Sequence, residues 1–159
     1  MAMTDAELLE RMTRFVPPTA DLLGQELLEV DSAAGRVRMK FQPRAECCNP
    51  MGNVQGGIIV AMLDDAAAFA AIVKSGERIG IPTIELKASF FAPARAGVPL
   101  FAEGRCIKLG KRIAFMEADL TDEAGNLLAR LTTSAVPLPM QAGANLVERP
   151  QGGNLVERK

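Results

Sequence analysis

The 159-residue chain contains no histidine, no tryptophan and no tyrosine. Without imidazole, Ser-His-Asp hydrolysis and histidine-ligated metal sites are excluded, so any proton transfer falls to a carboxylate. The chain has three cysteines, and two of them, Cys47 and Cys48, are adjacent, so no paired disulfide framework can form. The acidic opening "MAMTDAELLERM" has neither the basic nor the apolar region of a signal peptide, and a reducing cytoplasm is the expected compartment. A formal net charge of −1 gives no electrostatic reason to expect nucleic-acid or membrane partners. An anionic ligand must therefore be held by a few local groups. The length suits one domain with a substantial core.

What is present is well punctuated. Thr4-x-x-Glu7 has the form of a capping box, and Pro17-Pro18 stops the helix it opens, predicting an N-terminal helical segment over 1–18 that packs on the outside. From Gln25 the period changes to two. "QELLEVD", the turn-like "SAAG" and "RVRMKF" predict a hairpin with Val37, Met39 and Phe41 inside and Arg36, Arg38 and Lys40 in water. "GGIIVAMLDDAAAFAAIVK" is apolar nearly all round, spans about 27 Å as a helix and is closed by Ser75-Gly76. Its two adjacent carboxylates argue against a transmembrane span and for a buried helix.

Four strand-like runs follow: "TIELKASFFAP", "VPLFAEGRCIKL", "RIAFMEADLT" and "NLLARLTTSAV". The turns between them are too short for parallel crossovers, which predicts an α+β meander whose antiparallel sheet curls around the helix. Beyond Met140 the periodicity ends, and "NLVER" occurs at both 145–149 and 154–158. This duplication is too short for a solenoid repeat, so 141–159 is expected to be a disordered or weakly helical extension, and no function is assigned to it.

The stretch "CCNPMGNVQGGIIVAMLDD" carries a family resemblance. Asn49, Gly52, Gln55-Gly56-Gly57 and Asp64 match a pattern of Asn, Gly three on, His-Gly-Gly three further, and an acidic residue nine after the His. That pattern resembles the phenylacetate-degradation type of hotdog-fold acyl-CoA thioesterase, over roughly Thr19 to Leu138, and Gln55 in place of His is the departure. The resemblance implies a hotdog domain over 19–140: a long central helix wrapped by a curved antiparallel sheet of about five to six strands. It also places Thr83 where the family carries Ser or Thr beside the catalytic carboxylate. Hotdog dehydratases, which use a His, are excluded.

The implied chemistry suits these residue types. Gly56, in the first turn of the helix, has an N–H without an intrahelical partner and can polarise a thioester oxygen; Gly57 beside it is supporting. Asp64 is the expected base or nucleophile, Thr83 orients the attacking water, and Asn49 holds thioester or water. Gln55 is expected to replace the family His with its own donor and acceptor. Asp65, about 100° around the helix, is expected to be an ordinary solvated or ion-paired residue, and the cysteines plain thiols. Arg95, Lys111 and Arg112 are candidates for the coenzyme A phosphates, and Phe69, Phe90, Phe91 and Phe115 for an acyl slot. No cofactor is expected beyond the coenzyme A of the substrate.

Gly56 and Asp64 are eight residues apart, about 12 Å along one helix, so one thioester cannot touch both. A homodimer with antiparallel central helices, associating further into a tetramer, is expected to build each site from two chains. A non-catalytic acyl-CoA-binding protein, in which Gln55 marks lost activity, is the alternative.

Overall fold

The computed structural model describes residues 3–141 and 143–149. Helix α1 (Asp5–Arg14) opens on the Thr4/Glu7 capping box, buries Leu8 and Met12, and runs into the short strand β1 (Phe15–Val16). A single helical turn, α2 (Ala20–Leu23), leads to the hairpin β2 (Glu26–Asp31) and β3 (Arg36–Phe41). Val37, Met39 and Phe41 are buried and Arg36 and Arg38 are exposed, as the alternation predicts.

The central helix α3 (Gly56–Ser75) ends at Gly76, whose positive φ of 65° suits glycine and whose N–H closes on Val73 O at 3.2 Å. Ile59, Met62, Leu63, Ala66, Ala67, Ala70 and Val73 form its buried stripe. Among the described residues α3 alone has the length and apolar content of a membrane span, and half of its apolar window is buried inside the protein. After it come β4 (Ile79–Gly80), β5 (Thr83–Phe90), β6 (Leu100–Leu109), β7 (Ala114–Thr121), β8 (Leu127–Ala135), β9 (Leu138–Pro139) and β10 (Val147–Glu148).

The main sheet has six strands in the order β2-β3-β6-β7-β8-β5, all antiparallel. The expected meander is therefore corrected at one strand: β5 pairs with β8 at the far edge, not with the next strand in sequence. The physical reason is the length of α3. Twenty residues carry the chain about 30 Å, while four strand spacings from β3 to β5 need about 19 Å. The helix crosses the sheet and delivers the chain to its other side.

Helix and sheet approach closely at Gly104 in β6, where a Cβ would lie 2.0 Å from Ala66 O. Only glycine admits that distance, so Gly104 sets how deeply α3 is seated. The opposite face of the sheet is charged: Arg105 pairs with Glu117 and Asp119 at 2.8 Å each, and Asp119 with Arg130. Apolar residues inside and ion pairs outside thus fix which face holds the helix.

The expectation of a disordered 141–159 is corrected over its first half. Val147 and Glu148 form β10 against β1, and Arg149 Nη1 donates to Gln25 O at 3.0 Å. The second "NLVER" copy lies outside the described residues.

Candidate active site

The loop before α3 is drawn tight by its own polar groups. The Asn49 side-chain oxygen accepts from the N–H groups of Met51 (3.0 Å) and Asn53 (3.2 Å), and Asn49 N–H donates to Asn53 O at 2.7 Å. The loop is tied back by Gln55 N–H to Cys47 O and by Val54 N–H to Ala94 O, each 2.8 Å. Asn49 thus spends its carbonyl oxygen on shaping the turn, which leaves its amide NH₂ as the group for a ligand.

The loop delivers Gln55 as the N-cap of α3 with an extended backbone, and its carbonyl accepts from Ile58 and Ile59. Its exposed side chain makes no capping bond to the helix start. The N–H groups of Gly56 and Gly57 donate to no described residue. A helix start with free N–H groups carries partial positive charge, suited to an oxygen gaining negative charge. The Phe90 ring from β5 lies over this start, its Cζ 3.3 Å from where a Gly56 Cβ would stand. Gly57 faces open space.

Two turns further along α3, Asp64 meets the start of β5. Thr83 Oγ1 donates to Asp64 Oδ1 at 3.1 Å and lies 3.3 Å from Oδ2. Burial raises the Asp64 pKa above the usual carboxylate value, and the Thr83 hydrogen bond opposes that rise. The outcome is a half-buried carboxylate that is more basic than a free one, held in orientation by a hydroxyl from another element.

Asp65 departs from its expectation. It makes no ion pair among the described residues, and burial together with the charge of Asp64 pushes its pKa up to about 7. Two adjacent carboxylates on an apolar helix share a cost that Thr83 relieves at Asp64 alone. The sequence signal was the doublet itself; which member was favoured depended on where β5 arrived.

The basic candidates divide between the two ends. Arg95 bridges Asn53 and so belongs to the loop before Gly56, whereas Lys111 and Arg112 sit in the β6–β7 turn. That turn adjoins the Thr83 end, because Thr83 and Ala114 both pair with Ala135. All three side chains are exposed. Within one chain the structure joins Asp64 with Thr83, and Asn49 and Arg95 with the start of α3, and leaves these two groups at separate stations on the helix.

A long helix seated in a six-stranded antiparallel sheet ordered this way, with a carboxylate–hydroxyl pair and a free helix start on its exposed flank, defines a hotdog domain of the thioester-processing class. Comparison places it more closely. The thioesterase superfamily model matches residues 51–129. A Ralstonia eutropha putative thioesterase, described as phenylacetic acid degradation-related, is 31% identical with a TM-score of 0.71, over 76% of this chain and 90% of that one. Human acyl-coenzyme A thioesterase 13 is 28% identical over 130 residues, 81% of this chain and 84% of the human one. A Streptococcus mutans protein solved with bound acetyl CoA shares the fold, with a TM-score of 0.65 at 16% identity over 74% of this chain. The chain belongs to the thioesterase superfamily.

Proposed function

We propose that this protein hydrolyses acyl-CoA thioesters to free acid and coenzyme A, at sites each shared by two protomers. The observation that carries the reading is the Asp64–Thr83 contact on the same helix whose first turn offers the unpaired Gly56 N–H. In the reaction the thioester oxygen lies against Gly56 N–H of one chain, with the Asn49 amide beside it. Asp64 of the other chain takes a proton from water, which Thr83 orients, and the hydroxide equivalent attacks the carbonyl carbon. The oxyanion is held by the helix start, and its collapse expels the coenzyme A thiolate. Hydrogen-bond donation to an oxyanion of this kind is commonly worth about 2.7–4 kcal/mol. Water is the only co-reactant, and no cofactor enters.

The homodimer rests on the β5 edge. Among the described residues the strand is paired on one side only, and Ile84, Leu86 and Phe90 are 54%, 39% and 51% exposed. A bare, apolar edge of this kind is a template for a second copy, and antiparallel pairing across a twofold axis sets Gly56 of one chain toward Asp64 of the other. Arg95 from one chain and Lys111 and Arg112 from the other then flank the entrance as partners for the coenzyme A phosphates. A reducing cytoplasm suits the three free thiols.

Turnover of an aliphatic and aryl acyl-CoA panel by the pure protein tests the activity. Binding without turnover would instead favour the non-catalytic acyl-CoA-binding reading, for which Gln55 is the supporting observation. The shared site is tested by mixing Asn49→Ala and Asp64→Asn proteins after reversible dissociation. Random exchange makes half the dimers mixed, each with one intact site, so about a quarter of wild-type activity should return. No recovery after verified exchange would overturn the shared site.

A further inference from the structure

Strand β5 does not keep one register along β8. Ala88 stands opposite Leu131, Leu86 opposite Thr133 and Glu85 opposite Ser134, a count that would next set Ile84 opposite Ala135. Thr83 takes that place instead, and Ile84 is the extra residue of a β-bulge. The consequence is one of orientation. Ala129, Leu131, Thr133 and Ala135 are the buried row of β8 on the side of the core, so the residue opposite Ala135 is turned toward α3. In an unbroken ladder that residue would be Ile84, and Thr83 would face away from Asp64, because side chains alternate and a slip of one exchanges the two faces. The bulge is what brings Thr83 Oγ1 to 3.1 Å from Asp64 Oδ1.

A bulge that leaves an isoleucine exposed at the sheet edge needs to be held, and two hydrogen bonds flank it. On one side Val136 N–H donates to Pro82 O at 3.0 Å. On the other, Thr133 Oγ1 donates to Glu85 O at 2.8 Å. Thr133 is the polar member of an otherwise apolar buried row, and a hydroxyl in such a place is tolerated when it has a partner. Its hydroxyl is spent on the backbone beside the bulge rather than on Asp64. We propose that Thr133 is a positioning residue for thioester hydrolysis, pinning the bulge at Ile84 so that Thr83 stays against Asp64, a role that rests on Asp64 and Thr83 being the reacting pair. The bulge and its clamp lie on strands β5 and β8, outside the motif from Asn49 to Asp64.

Thr133→Val keeps the shape of the side chain and removes its donor. The variant is read by turnover and by the titration of the Asp64 carboxyl in carbon-13 NMR. In the wild type the Thr83 hydrogen bond holds the Asp64 pKa down against burial, and the neighbouring charge of Asp65 is the same in every variant. Freeing Thr83 should therefore raise the Asp64 pKa in Thr133→Val, in the direction that Thr83→Val raises it, and lower turnover about tenfold through misplacement. Thr133→Ala, which removes the donor without adding bulk, should do the same, and Thr133→Ser should restore both readouts. Thr83→Val with Thr133→Val should go no further than Thr83→Val alone, since both changes remove one contact. Thr132→Val, on the other face of β8 opposite Lys87, should change neither. Turnover that falls while the Asp64 titration stays in place would mark Thr133 as merely structural and overturn the role, as would additive effects in the double variant or no rescue by serine. A shifted Asp64 titration in a protein whose wild type turns over no acyl-CoA would leave the positioning role standing and defeat the hydrolase reading instead.

Discussion

The two edges of the main sheet are finished differently. Along β2 the chain completes its own edge: α1 packs against it, and Glu26 and Glu29 pair with Lys40 and Arg38 at 3.5 and 3.7 Å. Along β5 no described strand pairs with the outer edge, and every residue of the strand is exposed or half-exposed, with Ile84, Leu86 and Phe90 among them. Charge and a covering helix keep an edge from pairing, whereas a bare apolar edge invites it. The β5 edge also carries Thr83, and through it Asp64. The half of the molecule left structurally incomplete is the half that holds the candidate chemistry, as a site shared between two chains requires.

The largest effect expected on this contrast is chemical. Asp64→Asn should lower turnover by about a hundredfold or more, as loss of a general base does, while Asp65→Asn stays within a few-fold in steady-state assays. Equal losses would show that the doublet had been assigned the wrong way round. Next, a charge placed on the bare edge, Leu86→Lys, should shift the protein toward monomer in sedimentation and cost about tenfold or more in activity, because each site loses half its groups. Glu29→Lys on the finished edge should change neither by more than about twofold, as expected of an exposed ion pair.

A smaller effect is expected in stability against pH. Asp65 has a pKa near 7 in the folded chain and an ordinary one unfolded, so the folded state binds the extra proton between those values. Stability is then fully present below about pH 4 and declines as pH rises through 7. Asp65→Asn should stabilise the protein at pH 8 by about 2 kcal/mol, after allowance for solvent screening, with no gain at pH 3, as read by denaturant unfolding. Asp64, also raised, should place the acid limb of turnover above the usual carboxylate range. The smallest change is Gln55→His. That side chain caps nothing and faces water, so activity should stay within about twofold.

Much of this was legible before any coordinates. The capping box at Thr4, the alternation of β3, the extent of α3 up to Gly76 and the spacing from Asn49 to Asp64 each depend on residues close in the chain, where periodicity and turn chemistry speak directly. Strand β10 has no such signature, because two residues leave no periodic signal and their partner lies over 130 positions away.

The elements, the buried stripe of α3 and the candidate residues are written in the chain itself, because local propensity and hydrophobic pattern are properties of neighbours. The position of β5 is set by folding, since strand order follows from how far α3 carries the chain rather than from any motif. From that one placement followed the Thr83 bond to Asp64, the unrelieved burial of Asp65 and the open apolar edge. Each is a contact, or the lack of one, between segments far apart in the chain, and the chain must fold before any of them exists.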